Sequence, residues 1–230
     1  MRVAKPARLT SRDIPRHYHD RPYATLVIEG GYEEAGDQGR CQVSAGDILL
    51  HPAYSAHRDR VGDRRTYVLD IPLPFDGRAW PALATVADPD LVIRSANRDL
   101  REACEYLLAG LTPKAHERTD PVDQLAAALS GDPSLAIGEW ASFHSLSREW
   151  LARRFQRHYG TDSAAFRSEA RARLAWRRIV DSDDPLAQVA AQCGFADQSH
   201  MTRSVGRLTG RSPGAWRKAP SDHIGSRRAS

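Results

Sequence analysis

Long apolar runs are missing from this 230-residue sequence. No stretch approaches the roughly 18 to 20 apolar residues that a membrane-spanning helix requires. Residues 1–10 also lack the apolar core of a signal peptide. These absences predict a protein that does not enter the membrane and that stays in the cytoplasm.

Cysteine is scarce, and the three cysteines (Cys41, Cys104 and Cys193) stand far apart with no paired spacing. This pattern is typical of reduced thiols in a cytoplasmic protein, and it argues against a disulfide framework. Outside the histidines of its first part, the sequence shows no pairing of a nucleophile with a base that indicates an enzyme.

Charge is distributed unevenly along the chain, although the formal net charge is only +4. Residues 1–130 carry 17 Lys or Arg against 19 Asp or Glu, whereas residues 131–219 carry 14 against 9. A near-neutral part followed by a basic part favours a polyanion as the partner of the second part. Solvated helix faces produce the same counts, so charge alone leaves both interpretations open.

The first part of the chain alternates short β-branched and apolar segments with glycine and proline turns. The segments predicted as strands are residues 25–28, 41–43, 48–50 and 66–71. Many short strands separated by such turns favour a sandwich or a small barrel.

Histidines mark this first part. His17 and His19 are two residues apart, so on a strand both side chains point to one face. The chain here resembles the cupin fold. The residues that match the two cupin motifs are His17-Tyr18-His19, Gly30, Gly46, Pro52 and His57.

The cupin resemblance implies a β-barrel and a divalent metal held by two histidines, a glutamate and a later histidine. In this sequence the glutamate position falls near Tyr23 or Ala24, where there is no carboxylate. His17, His19 and His57 alone would bind Zn²⁺ or a similar ion with one coordination position open. Alternatively, these histidines make structural hydrogen bonds, and no cofactor is certain.

An effector pocket is the favoured interpretation of the first part, because a barrel of this size commonly encloses one small ligand. The polar side chains expected to line the pocket are His17, His19, Tyr23 and His57.

The middle of the chain, residues 81–133, is predicted to be a helical linker. A first helix is predicted over residues 97–111, because apolar residues recur there every three or four positions. They are Leu100, Cys104, Leu107, Leu108 and Leu111. A second helix is predicted over residues 121–129, followed by a connector over residues 130–133. The apolar stripe of the first helix either packs against the barrel or pairs two subunits as a homodimer.

The basic second part contains two similar units, each with a short helix, a tight turn and a longer helix. Ser134 is predicted to cap the first short helix, and Ser147 the longer helix after it. Pro185 is predicted to begin the next short helix, Gly194 to end it in a left-handed conformation, and Asp197 to cap the longer helix that follows. This pattern predicts a pair of helix-turn-helix motifs that bind double-stranded DNA.

Residues 134–218 resemble the DNA-binding domain of the AraC/XylS family of transcription regulators. The resemblance is carried by Leu146-Ser147, Leu151-x-Arg153-Arg154-Phe155, Tyr159-Gly160, Val189-Ala190-x-x-Cys193-Gly194-Phe195-x-Asp197-Gln198-Ser199-His200, Thr202-Arg203 and Leu208-Thr209-Gly210-x-Ser212-Pro213-x-x-Trp216-Arg217. It implies seven helices, two major-groove contacts on one face of the duplex and a cupin-like sensor before the domain. It also implies RNA polymerase as a partner if the protein is an activator.

The second motif departs from the family pattern at three positions. The family often has aromatic residues where this sequence has Met201 and Val205, and a basic residue where it has Gly206. A less filled core and one missing phosphate contact predict weaker binding by this motif than in a typical member.

Side-chain chemistry assigns roles on the two longer helices. Arginine can donate two hydrogen bonds to guanine, glutamine can pair with adenine, and glutamate can accept from cytosine. The predicted base contacts are Arg153, Arg203, Glu149, Gln198, Ser199 and Thr202. The predicted phosphate contacts, which position the protein without reading the sequence, are Arg148, Arg154, Gln156, Arg157 and Arg207.

The predicted fold class is an α+β multidomain protein, with a cupin-like β-barrel first and an all-α domain with two helix-turn-helix motifs last. The predicted domains are residues 1–80 (sensor), 81–133 (linker), 134–218 (DNA-binding domain) and 219–230 (disordered tail). The predicted function is sequence-specific regulation of transcription by a bacterial-type regulator that responds to a small effector. The alternative class is a metal-dependent cupin enzyme, which the missing glutamate disfavours.

Overall fold

The computed structural model of the protein describes residues 3–10, 12–63, 65–75, 80–116 and 118–218. These residues divide into two compact units. The first unit consists of residues 3–36, 40–74 and 80–116, and the second consists of residues 118–218 with residues 37–39 and 75. The tail over residues 219–230, predicted to be disordered, lies outside the described residues.

The described residues of the first unit form short strands and two helices, α1 (Pro89–Ala96) and α2 (Leu100–Gly110). The strands are β1 (Ala7–Arg8), β2 (Asp13–Tyr18), β3 (Tyr23–Glu29), β4 (Gly31–Gly36), β5 (Gly39–Ser44), β6 (Asp47–His51), β7 (Ala56–Val61), β8 (Tyr67–Pro72), β9 (Leu83–Thr85) and β10 (Thr112–Pro113). They pair in two sheets, with strand orders β1-β8-β3-β6-β9-β10 and β2-β7-β4-β5. The four predicted strands coincide with β3, β5, β6 and β8. The sequence pattern does not predict strands β2, β4 and β7, because charged residues interrupt their apolar residues.

Strand β3 is buried on both faces. Ala24 and Leu26 belong to a core that also contains residues of α1 and α2, so this face of the larger sheet is covered by helices. Val27, which points the opposite way, belongs to a second core shared with Tyr32 of β4 and Val61 of β7 in the smaller sheet. The two-residue period of β3 therefore divides its side chains between a helix-covered face and the space between the two sheets.

The apolar stripe predicted over residues 97–111 packs inside the first unit. Leu107 is fully buried against a core that includes Ile48 and Ile71, and Cys104 and Leu108 pack at its edge. Packing against the sheet is thus the confirmed interpretation of this stripe, and the stripe no longer argues for a homodimer.

The described residues of the second unit form seven helices. They are α3 (Pro121–Gly131), α4 (Ile137–Phe143), α5 (Arg148–Tyr159), α6 (Ser163–Asp181), α7 (Leu186–Gln192), α8 (Gln198–Thr209) and α9 (Pro213–Arg217). Six of them lie within residues 134–218, where the family resemblance implies seven, and the other lies in the segment predicted as linker. Helix α3 is tied to α5, because the Tyr159 hydroxyl donates to the Asp123 carboxylate at 2.6 Å and both side chains are buried. The segment predicted as a single linker is therefore divided, with α1 and α2 in the first unit and α3 in the second.

Two predictions about the start of the helical unit are wrong. Helix α3 continues through Ser130 and Gly131, so the connector begins only at Asp132. Ser134 caps no helix, because its hydroxyl donates to the Asp132 carboxylate at 2.5 Å. Helix α4 begins after Ala136, which offers no side-chain cap.

The sheet-rich first part and the all-α second part confirm the predicted fold class. Cys41, Cys104 and Cys193 are free thiols. Among the described residues, no helix combines the length and the apolar character that crossing a membrane demands.

Candidate functional sites

The two longer helices, α5 and α8, have the same construction. Each is twelve residues long. Ser147 caps α5 by accepting from the Trp150 N–H at 3.1 Å, and Asp197 caps α8 by accepting from the His200 N–H at 2.7 Å. Gly160 ends α5 at φ 68° and Gly210 ends α8 at φ 69°, a left-handed conformation that glycine adopts without strain. Both predicted N-terminal caps and both predicted glycine ends are confirmed.

The turns before these helices also match. Helices α4 and α7 are seven residues long, and each is followed by one residue of positive φ, Ser145 at 55° and Gly194 at 70°. In both turns the residue after the one with positive φ forms a backbone hydrogen bond with the short helix. The Leu146 N–H donates to the Ala141 carbonyl, and the Phe195 N–H donates to the Ala190 carbonyl, each at 2.9 Å. The two units are therefore the same structural motif built from different sequences.

The buried side of each longer helix determines which residues remain exposed. On α5, Leu151 and Phe155 are 1% and 0% exposed. On α8, Met201 and Val205 occupy the equivalent positions, and both are 0% exposed. A helix held on this side presents its opposite face to solvent.

Most side chains predicted to contact DNA lie on these opposite faces. The exposed ones are Arg148, Glu149, Arg153, Gln156 and Arg157 on α5, and Gln198, Ser199, Arg203 and Arg207 on α8, whereas Thr202 is half-buried. Arg153 and Arg203 each stand six residues after their N-terminal caps. Neither forms a hydrogen bond or an ion pair with another described residue, so both guanidinium groups keep all their donors for a partner.

Two of the predicted phosphate contacts are placed differently from the rest. The Arg154 guanidinium donates to the Asp120 carboxylate at 2.8 Å and lies 5.3 Å from the centre of the Trp150 ring. A phosphate would have to compete with this internal carboxylate, which weakens the predicted role of Arg154. The Arg148 guanidinium lies against Gly138 of α4, where an added Cβ would overlap it.

Several arginines of α6 bond inside the second unit. Arg171 donates to the Pro133 carbonyl at 3.0 Å, and Arg178 donates to the Gln192 side chain at 2.6 Å. Arg173 is buried and pairs with Asp37. The basic surplus of the second part is therefore partly structural.

A polar cluster lies inside the first unit, between its two sheets. His17 of β2 stands directly opposite His57 of β7, and their ring centres are 4.3 Å apart. His19 follows the end of β2, with its ring 4.7 Å from that of Tyr23. The Tyr23 hydroxyl lies 3.4 Å from His57 Nε2. All four side chains predicted for an effector pocket are thus in one cluster, whose ligand stays a prediction.

The cluster also contains residues that the sequence does not predict. His51 of β6 packs its ring 4.4 Å from Tyr23 and 4.6 Å from His57. Glu34 of β4 places a carboxylate oxygen 3.7 Å from His51 Nε2. Asp59 of β7 lies opposite Glu34 in the smaller sheet. Glu34 shares the inward face of β4 with Tyr32, two residues earlier, which is in the core between the sheets.

Burial controls the protonation of this cluster. It lowers the pKa of His51 to about 3, and it lowers the pKa of His57 far below the ordinary value, with His51 as the next cause. Burial, followed by the nearby Asp70 carboxylate, raises the pKa of Asp59 to about 7. Both imidazoles are therefore neutral at neutral pH, and each keeps a lone pair on one ring nitrogen.

Residues 140–219 match a family described as a helix-turn-helix domain. A putative AraC-like transcription regulator of Streptomyces antibioticus is 33% identical over 124 residues, which is 52% of this chain and 38% of that protein. The HTH-type transcriptional regulator Rv1931c of Mycobacterium tuberculosis is 25% identical over 185 residues, covering 80% of this chain and 68% of that protein. The chain thus spans well under half the length of the Streptomyces relative.

Two solved structures are similar to a lower degree. ToxT from Vibrio cholerae is 10% identical, with 93% of this chain and 96% of that chain covered and a TM-score of 0.43. The DNA-binding domain of AdpA, solved in complex with a target DNA, is 28% identical, with 43% of this chain and 91% of that chain covered and a TM-score of 0.39. Scores this low indicate a loose likeness and support no functional argument.

Proposed function

We propose that this chain is a transcription regulator of the AraC family, which binds double-stranded DNA at specific sequences and thereby regulates transcription. The observation that carries the proposal is the repetition of one helix-turn-helix geometry. Helices α5 and α8 share their length, their side-chain caps and their left-handed glycine ends, and each presents an unpaired arginine at the same position.

The proposed base contacts are the exposed side chains near the start of each helix. Arg153 and Arg203 are proposed to donate to O6 and N7 of guanine, and Gln198 to pair with adenine. Glu149 is proposed to accept from cytosine N4, with Ser199 and Thr202 as further contacts on α8. The proposed phosphate contacts are Arg148, Gln156, Arg157 and Arg207. Arg154 is a weaker candidate, because its guanidinium pairs with the Asp120 carboxylate.

The experiment that tests this function is selection of bound duplexes from a random DNA pool, with the full chain at near-physiological salt. Two short enriched blocks about one helical turn, roughly 34 Å, apart are the expected result for two helices on one face of the duplex. Binding without any enriched sequence, together with a steep dependence on salt, would mean that the protein binds DNA only through the charge of a basic surface. This result would overturn the proposal.

We further propose that the polar cluster of the first unit binds a small effector, with His17, His19, Tyr23 and His57 as ligand contacts. The support is that these side chains meet in one place between the sheets. Screening small molecules for a shift in DNA affinity tests this part. Pairing of two copies and contact with RNA polymerase are further proposals, tested by sedimentation with and without DNA and by transcription in vitro.

The alternative class, a metal-dependent enzyme, gains one argument from the structure, since Glu34 provides a carboxylate beside the histidines. We nevertheless propose that the protein is not an enzyme, because the relatives it matches are described as transcription regulators. Because a transcription regulator acts on the chromosome, we propose that the protein is located in the cytoplasm of a bacterial cell.

A further inference from the structure

We propose that Glu34, His51 and His57 bind a divalent transition-metal ion of the zinc type between the two sheets of the first unit. Their three ligand atoms lie within 4.8 Å of one another, and all three side chains are buried. The proposal goes beyond DNA binding and does not depend on it, because every proposed ligand belongs to the first unit.

The chemistry of the donors favours this class of ion. Two neutral imidazoles and one carboxylate are a ligand set that zinc accepts and that also suits iron, cobalt or nickel. Hard cations such as Mg²⁺ prefer oxygen donors, and only one of the three donors is oxygen. The three ligands come from β4, β6 and β7, so neighbouring backbone in two sheets holds each of them.

The distances among these three donors fit a single ion. Ligands of a tetrahedral zinc ion, at about 2.0–2.1 Å from the metal, are about 3.3 Å from one another. His51 Nε2 and the Glu34 carboxylate are already 3.7 Å apart. The His51 and His57 rings have centroids 4.6 Å apart, and the Tyr23 ring stacks on the His51 ring at 4.4 Å.

Unsatisfied polar atoms form the second, independent observation. His57 is 4% exposed, and its Nδ1 has no hydrogen-bond partner among the described residues. Asp59 is 7% exposed, and its Oδ1 likewise has none. Burying such groups without partners destabilises a fold, so a cluster of this kind indicates a missing partner.

His17 lies beside His57 on the more exposed side of the cluster. His17, His19 and His57 also have ligand atoms within 4.8 Å of one another, so His57 is common to both groups. His17 Nδ1 lies 2.9 Å from the Pro15 carbonyl. Because a carbonyl can only accept, Nδ1 carries the proton and Nε2 keeps the lone pair that a metal needs. His19, which is exposed, marks the route by which the ion enters.

The test is metal binding by the untagged full chain after treatment with a chelator. Titration with Zn²⁺ should show one equivalent bound per chain and a rise in melting temperature, and Co²⁺ should give visible absorption bands from coordinated nitrogen ligands. His57→Ala should abolish binding, and Glu34→Gln, which keeps the shape of the side chain, should weaken it about tenfold or more. His144→Ala removes a histidine of the second unit and is the matched control, with unchanged stoichiometry.

Circular dichroism of each variant in chelator shows whether it folds. If His57→Ala does not fold, zinc binding by Glu34→Gln serves as the test of the site. Absence of bound zinc, or full binding by Glu34→Gln, overturns the proposal. Binding that is lost in His17→Ala but unaffected in Glu34→Gln assigns the ion to the outer histidines and also overturns it. DNA binding measured on Glu34→Gln separates the two proposals, since it should persist when the metal is lost.

Discussion

Replacing Arg153 or Arg203 by alanine is the most direct check on the two reading helices. Both side chains are exposed, and neither bonds to another described residue, so their removal should cost the fold almost nothing. Alanine also favours helix. Each variant loses one bidentate contact with guanine, which is worth about 1–3 kcal/mol and corresponds to an increase of about 5- to 150-fold in Kd.

Fluorescence anisotropy with the selected duplex, at one fixed salt concentration, measures this loss. Duplexes with single base-pair changes add the positional information. Arg153→Ala should lose discrimination only in the block read by α5, and Arg203→Ala only in the other block. The two losses should add within about 0.5 kcal/mol in the double variant, because the residues share no partner.

A matched control separates base reading from loss of charge. Arg178→Ala removes the same charge, but this guanidinium bonds to Gln192 inside the unit. It should therefore change the affinity for all duplexes little and equally. If both reading variants keep the affinity and the preference of the unchanged protein, the assignment of α5 and α8 is refuted.

Three further predictions concern the stability of the second unit, measured by urea unfolding. Positions 145 and 194 both have positive φ. Ser145→Gly should therefore raise the free energy of unfolding by up to about 1 kcal/mol, and Gly194→Ser should lower it by about the same amount. Changes of the same sign in the two variants would contradict this backbone argument. Tyr159→Phe should destabilise by about 1.5–3 kcal/mol, because it removes a buried donor from the Asp123 carboxylate, and an unchanged midpoint would show that this bond adds nothing. Asp197→Ala should cost about 0.5–2 kcal/mol through loss of the N-terminal cap, whereas a cost near zero would mean that packing alone sets the start of α8.

The helical unit could be predicted closely from the sequence because its signals are local. Ser147 and Asp197 are good caps, and Gly160 and Gly210 are good ends, so α5 and α8 were delimited without tertiary information. Helix α4 shows the limit of this reasoning. Ser134 has the chemistry of a cap, but Asp132 engages its hydroxyl first, and the helix begins three residues later.

The polar cluster was only half predictable, for a different reason. His17, His19 and His57 stand out in the sequence by their spacing. Glu34 does not, because its strand contains two adjacent glutamates and nothing local decides which one points inward. Only the pairing of β4 with β7, which sets Glu34 opposite Asp59, determines that choice.

The placement of the arginines likewise depended on tertiary structure. The sequence shows nine arginines from Arg148 to Arg178 but cannot tell which are engaged. Arg173 forms a buried pair with Asp37, a residue far away in the chain, so no local pattern reveals its structural role.

The internal bonding of the α6 arginines has a consequence for counterion release. A protein that neutralised nine phosphates with the arginines counted from the sequence would show a slope of about −8 in a plot of log K against log salt concentration. The arginines of α5 and α8 proposed to contact phosphate are Arg148, Arg157 and Arg207, because Arg153 and Arg203 are proposed to contact guanine. Three such cations release about 2.7 counterions. Binding should therefore tolerate changes in intracellular potassium much better than the basic composition of this part of the chain suggests.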